Sequence, residues 1–344
     1  MAYTTINKST DYFNTKLYTG NGGTQAVTGV GFQPDWVWLK SRSDAYSHQL
    51  FDAVRGTTKL LTSEATDAEQ TISGVTAFGT DGFTVGSDAG SNGNTKTYVS
   101  WNWKAGTGQG SSNTDGSINT TYTSVNTTAG FSICKWTGTG SAGTIGHGLG
   151  AVPKMIIIKD LSNTRDWFVY HASIGNNKRL KLNDNVAEGA STVFNNTTPT
   201  SSVFSIDGSV YVNNSGSNYI AYCFSEVTGY SKFGSYTGNG NADGTFVYTG
   251  FKPAFVLTKY ATSTSGWWQI LDNKRDVYNP NSHALFTNVS DSEYNLSNYH
   301  TDYLSNGFKL RNTQAGGNTS GGTYIYMAFG QSLVGSNNVP CTAR

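Results

Sequence analysis

The chain has 344 residues, of which 13% are charged, 23 basic against 22 acidic. A formal net charge of +1 gives no field to draw in nucleic acid or an anionic membrane surface, so neither is expected as a partner. With 41 glycines, and 20 tyrosines against 3 methionines, short strands joined by tight turns are favoured over helices, and 6 prolines are too few for a polyproline or collagen-like shaft.

The opening Met1–Lys8 lacks a basic stretch followed by an apolar core, so no secretory signal is expected. Residues 1–16 are polar and β-prone and read as an N-terminal arm able to reach a neighbouring subunit. A first unit follows at 17–106. In it Tyr18-Thr19-Gly20-Asn21-Gly22 leads to Gly31-Phe32-Gln33-Pro34-Asp35-Trp36-Val37-Trp38-Leu39-Lys40. The proline stands at a strand entrance, where its missing N–H removes no ladder bond. Ser63–Glu69 is the best helical candidate, with acids in its first turn, and reads as one surface turn or less. Asp81-Gly82-Phe83-Thr84-Val85, the Gly90–Asn94 loop and Tyr98–Trp103 read as a hairpin that closes the unit.

Residues 107–130 are poor in apolar side chains and read as a linker or an extended arm, with Tyr122 and Val125 available for packing. A second unit, 131–228, repeats the phrase more loosely: Trp136-Thr137-Gly138-Thr139-Gly140 leads to Pro153-Lys154-Met155-Ile156-Ile157-Ile158-Lys159. Met155–Ile158 is apolar at every position, as a strand covered on both faces would be. The third unit, 229–332, follows almost without a spacer. Tyr236-Thr237-Gly238-Asn239-Gly240 leads there to Pro253-Ala254-Phe255-Val256-Leu257. The glycine-to-proline offset is 14 residues in the first unit and 15 in the other two, and residues 333–344 form a C-terminal tail. An all-β fold is expected, made of three tandem antiparallel β-sandwich units, jelly-roll-like, from an internal triplication and with little helix.

Local signals for chemistry are sparse. His48, His147, His171, His283 and His300 fall in no zinc-binding spacing, and His147, in a glycine-rich turn, is expected to face solvent. The glycine clusters lack the Lys-Ser/Thr of a phosphate loop, and Asp81-Gly82 and Asp207-Gly208 read as hairpin turns rather than calcium ligands. Three cysteines without paired spacing, Cys134, Cys223 and Cys341, suggest free thiols, the first two buried. No run approaches a membrane span. No catalytic residue, metal site or cofactor is nominated. Trp167, Trp267 and Trp268 lie beside Thr/Ser/Asn-rich turns and are candidate contacts for a glycan or a partner, the alternative being a core or interface position.

The phrase from Gly29 to Arg42, with Gln49-Leu50-Phe51-Asp52-Ala53-Val54-Arg55-Gly56 after it, resembles a family of tailed-bacteriophage virion proteins, of the marine and cyanophage type. Gly229 to Gly240, followed by Gly250-Phe251-Lys252-Pro253-Ala254-Phe255-Val256, carries the same resemblance. It spans about residues 1–330 and implies a structural, tail-fibre-like protein that is not an enzyme, made in the host cytoplasm and located in the virion. Its implied partners are other virion proteins, further copies of itself as a homotrimer, and a host surface glycan or protein. A capsid decoration or head-fibre protein docked on the shell is the alternative role, and a polysaccharide depolymerase is a third.

Overall fold

A computed structural model describes residues 4–314 and 316–334. The first stretch holds β1 (Phe13–Thr19), β2 (Gln25–Thr28), β3 (Trp36–Ser41), β4 (Gln49–Asp52), β5 (Lys59–Leu60), β6 (Gln70–Thr71), β7 (Val75–Gly79), β8 (Gly82–Val85) and β9 (Thr97–Trp103). The second holds β10 (Tyr122–Asn126), β11 (Phe131–Thr137), β12 (Gly143–Gly146), β13 (Pro153–Asp160), β14 (Phe168–His171), β15 (Lys178–Lys181), β16 (Gly189–Ala190), β17 (Val203–Ile206) and β18 (Asn218–Ser225). The third holds β19 (Ser231–Thr237), β20 (Phe246–Tyr248), β21 (Lys252–Tyr260), β22 (Trp268–Asp272), β23 (His283–Phe286), β24 (Tyr294–Asn295), β25 (Thr301–Leu304), β26 (Gly307–Leu310) and β27 (Thr323–Gln331). The fold is all-β and its ladders are antiparallel. No helix among the described residues is long and apolar enough to cross a membrane.

One strand order occurs in three large sheets: β1-β9-β3-β4, β11-β18-β13-β14 and β19-β27-β21-β22. A small sheet accompanies each, β2-β8-β7, β12-β17 and β20-β26-β25. Period-2 alternation sends successive side chains of a strand to opposite faces. On β3, Val37 and Leu39 pack with Val27, Phe83 and Val85 of the small sheet, whereas Trp36 and Trp38 point into a cluster shared by all three units. β13 divides the same way, Ile156 and Ile158 outward and Met155 and Ile157 inward, and β21 sends Val256 outward and Phe255 and Leu257 inward. That double cover is why these strands are apolar at every position. At Pro153 and Pro253 the ladder shifts register by a bulge, as suits a residue without an N–H.

The shared cluster is aromatic. Trp36 stacks on Tyr222 at 4.4 Å and lies 4.5 Å from Trp103, Phe131 stacks on Phe224 at 4.8 Å, and Phe13 stacks on Phe329 at 5.1 Å. Rings of this size each withdraw about 150–250 Å² from water, which makes this cluster the main source of cohesion between units.

Around it the units are joined head to tail by matching contacts. His48 Nε2 meets the carbonyl of Phe286 at 2.9 Å, Trp167 Nε1 donates to Thr62 at 2.9 Å, and Trp268 Nε1 donates to Lys181 at 2.8 Å. Each bond runs from one unit to the next, so the three close a ring. A second set repeats the closure, with the N–H of Glu69, Glu188 and Glu293 donating to the carbonyls of Leu161, Ala261 and Arg42.

Within each unit a buried asparagine locks the first hairpin. Asn92, Asn213 and Asn318 accept from the N–H of Asn21, Thr139 and Asn239, and their amides donate back across the turn. A Cβ at Gly20, Gly138 or Gly238 would come within 2.3, 2.2 or 2.3 Å of a backbone carbonyl oxygen, so the turn admits only glycine there.

The helical expectation is corrected, and the two segments outside the units are placed. Ser63–Glu69 forms no helical turn. It is an irregular segment next to the joint, Ser63 donating to Thr287, and the four-residue α-helix lies at Ala89–Asn92. The described part of the N-terminal arm turns back on its own chain: Ile6 is buried in the shared cluster and Ser9 N donates to Gln331. Segment 107–130 supplies β10 to the second large sheet, and Ile118 bridges Ile145 at the edge of β12. Its packing follows from Ile118, Tyr122 and Val125, which reach the second unit's apolar surfaces and the shared cluster.

Candidate functional site

Trp167 and Trp268 are buried, and their N–H groups are used at the joints between units, so neither offers a ring face to a sugar. Their polar neighbours belong to the loops that make the joints. Trp267 is half-buried, edge-on to Phe286 at 4.8 Å. The three tryptophans therefore do not form one platform.

The buried ionisable groups are also committed. On β4 and just beyond it Arg55 Nε donates to Asp52 Oδ2 at 2.5 Å, and Asp52 accepts Tyr222 OH from the second unit at 2.8 Å. Arg275 and Asp272 repeat the pair at 2.6 Å, and Asp272 accepts Trp101 Nε1 from the first unit at 3.0 Å. Burial is the largest single influence on both guanidinium groups and lowers them, but Asp52, Tyr222 and Glu69 around Arg55, and Asp272 and Glu293 around Arg275, together outweigh it and raise both. Where those units have aspartate the second has His171, whose Nε2 faces the carbonyl of Tyr326 at 3.2 Å. His147, expected in solvent, is buried: Nδ1 accepts Leu149 N–H and Nε2 faces the carbonyl of Thr200. Lys40, Lys159 and Lys259 occupy matching ends of β3, β13 and β21, and burial lowers each to about 8. Cys134 and Cys223 are buried free thiols, and Cys341 lies outside the described residues. Among the described residues no group of three or more His, Cys, Asp or Glu side chains is placed to hold a metal ion.

Exposed aromatic surface gathers instead on the third unit's small sheet. Val247 of β20 pairs with Phe308 and faces the core, which turns Phe246 and Tyr248 to the outside, 43% and 58% exposed. Phe246 pairs across the ladder with Lys309, and Lys309 with Asp302, while Tyr248 and Leu304 flank Gly307. A Cβ on Gly307 would come within 3.0 Å of the Phe246 ring, so that ring lies against bare backbone. Lys309 and Arg311 both bind Asp243, at 2.6 and 3.0 Å, and Arg311 also binds Asp302 at 2.5 Å. The hydrogen bond from Lys309 holds the exposed Asp243 carboxyl below its usual range. The result is two ring faces beside a fixed row of charges.

At the matching outward positions the first unit has Ala26 and Thr28 and the second has Thr144 and Gly146. Sequence reasoning missed Phe246 and Tyr248, although setting the three hairpins side by side shows aromatics where the other two have small residues.

No curated protein matches the chain. A family described as a domain of unknown function, DUF7483, matches residues 8–332. That span begins beside the turn Ser9–Asp11, takes in all three large sheets and ends just after β27, so the chain belongs to the DUF7483 family.

Proposed function

We propose that this chain is a non-enzymatic structural protein of a tailed-bacteriophage particle, displayed on its surface as a tail-fibre or host-contact component. The resemblance carried by the Gly-Phe-x-Pro strand entrances supports the particle. The ring of joints supports a structural role, because the buried Asp, Arg and His side chains at the joints hold units together. The observation that carries the contact role is the exposed pair Phe246 and Tyr248 beside Asp243, Lys309, Arg311 and Asp302. An apolar ring face next to oriented polar groups suits a sugar ring or a protein loop of the host surface.

The test uses a phage that encodes the chain. Both side chains project from an edge strand, so Phe246→Ala with Tyr248→Ala is expected to leave particle yield unchanged and to slow adsorption to host cells about tenfold, the equivalent of about 1.4 kcal/mol. Antibody should label the tail. Label on the capsid lattice, with normal adsorption, would transfer the chain to shell decoration, and absence from purified particles would end the virion reading. Release of reducing ends from host envelope by the purified chain would overturn its non-enzymatic part.

A further inference from the structure

The second unit shows what covers the free edge of a small sheet. Beside β12 runs part of the segment between units, with Ile118 bridging Ile145 in parallel. Ile118 N–H donates to the carbonyl of Thr144 at 3.0 Å, and the hydroxyls of Ser117 and Thr144 each accept the other's N–H at 2.9 Å. The chain closes this edge with an extended stretch of its own, and Ile118 is buried in doing so.

The same edge is open in the third unit. Ile145 pairs with Phe204 as Val247 pairs with Phe308, so Thr144 corresponds to Phe246 and Gly146 to Tyr248. Along an antiparallel strand, residues alternate between bonding the partner strand and facing away from it. Leu310 N–H donates to Thr245 and Thr249 N–H donates to Asn306, which turns residues 245, 247 and 249 toward β26. The N–H and C=O groups of Phe246 and Tyr248 therefore point the other way, to a side of β20 where no strand pairs among the described residues. Such an edge is a template for another strand, and proteins commonly blunt it with charge or proline. β2 of the first unit has Ala26 and Thr28 at these positions, which give a partner little to pack on. β20 has two exposed rings instead, and the charges beside them are paired among Asp243, Lys309, Arg311 and Asp302.

We propose that β20 takes up an extended, uncharged peptide segment of a partner protein as a further, parallel strand, in the way β12 takes up Ile118. One residue of the segment donates its N–H to the Phe246 carbonyl and accepts the Tyr248 N–H. Its two neighbours in the segment fall on the outward face, where apolar side chains pack on the Phe246 and Tyr248 rings. The inference rests on the contact role of those two residues and selects protein over sugar, but it does not depend on the virion.

The probes are capped peptides Gly-Ser-x-Thr-x-Ser-Gly with Val, Ile, Phe or Tyr at x, titrated against the full chain. At least one is expected to bind with a Kd of about 0.1 mM or below. Tyr248→Ala removes a ring, whereas Tyr248→Pro also removes the N–H that faces the open edge, a loss that an edge strand tolerates. Binding should fall about tenfold further for proline than for alanine, the scale of one main-chain bond, at matching melting temperatures. On the probe itself, N-methylation of the central threonine should abolish binding and N-methylation of either x should not. That comparison leaves the protein untouched, and it decides the matter should Tyr248→Pro melt early. No binding by any probe, equal affinity for the alanine and proline variants, or a central N-methyl probe that binds like its parent would overturn the proposal. Adsorption that falls for Phe246→Ala with Tyr248→Ala while every probe fails would keep the contact role and assign it to sugar. Normal adsorption while the probes bind would end the host-contact role and leave the peptide edge standing.

Discussion

His48, His147 and His171 are held in one tautomer by their surroundings. Each accepts an N–H on Nδ1, from Trp38, Leu149 and Ser173, so Nε2 carries the proton and donates it to a carbonyl. Burial lowers all three, His171 to about 4. The three lysines of the core strands are more informative for stability. Burial lowers Lys40, Lys159 and Lys259 to about 8, partly offset at Lys40 by Glu64, Asp291, Asp44 and Glu293. An unfolded lysine titrates near about 10.4, so between those values the unfolded chain binds more protons and stability rises with pH. Above about 10 the trend reverses, because burial holds the hydroxyls of Tyr222, Tyr236 and Tyr303 well above their usual range and only the unfolded chain gives up those protons. Urea midpoints measured from pH 7 to 11 should therefore climb above 8 and fall beyond 10. Lys159→Met should flatten the climb, and a curve that falls steadily from pH 8 would refute the assignment.

At the scale of the element, the end of the fourth core strand gives a natural comparison. Asp52 with Arg55 and Asp272 with Arg275 are buried ion pairs, and the second unit has His171 and Ile174 in the same places. Asp272→Asn should cost about 3–5 kcal/mol, because it leaves Arg275 buried without the carboxylate of its own strand. Asp272→His with Arg275→Ile removes the charge together with its partner and should cost clearly less. Equal losses in urea unfolding at pH 7 would show that the pair contributes nothing as a pair. The strands themselves were legible: the hairpin turns, the proline entrances and the doubly covered Met155–Ile158 all follow from local chemistry. What covers the second face was not legible, since a neighbouring unit and a strand's own small sheet leave the same apolar pattern. Trp167 and Trp268 take the core-or-interface alternative, and the sequence left both readings open because polar neighbours accompany an indole at a joint as readily as at a sugar site. Phe246 and Tyr248 were hidden by ordinary alternation, which says that one face is outward without saying which.

For the whole molecule, the largest single apolar cluster lies between units. Linear repeat arrays can unfold from one end, since each repeat touches only its neighbours. Here Trp36, Phe131 and Phe255 meet in one cluster, and the joints return to where they began. Calorimetry should give a single transition with calorimetric and van't Hoff enthalpies in agreement. Two resolved transitions would show that a unit folds apart from the ring.

Of the three joints, the one between His48 and Phe286 has no polypeptide crossing it, whereas 104–121 and 226–230 link the others. It carries an added clasp, Arg42 with Glu293 at 2.7 Å, where the matching positions of the linked joints hold Leu161 and Ala261. Non-covalent contacts, the main-chain bond from Glu293 to Arg42 among them, thus do at this seam what backbone continuity assists elsewhere. The two linking segments act as tethers that raise local concentration, and severing either one should leave fragments that find each other again.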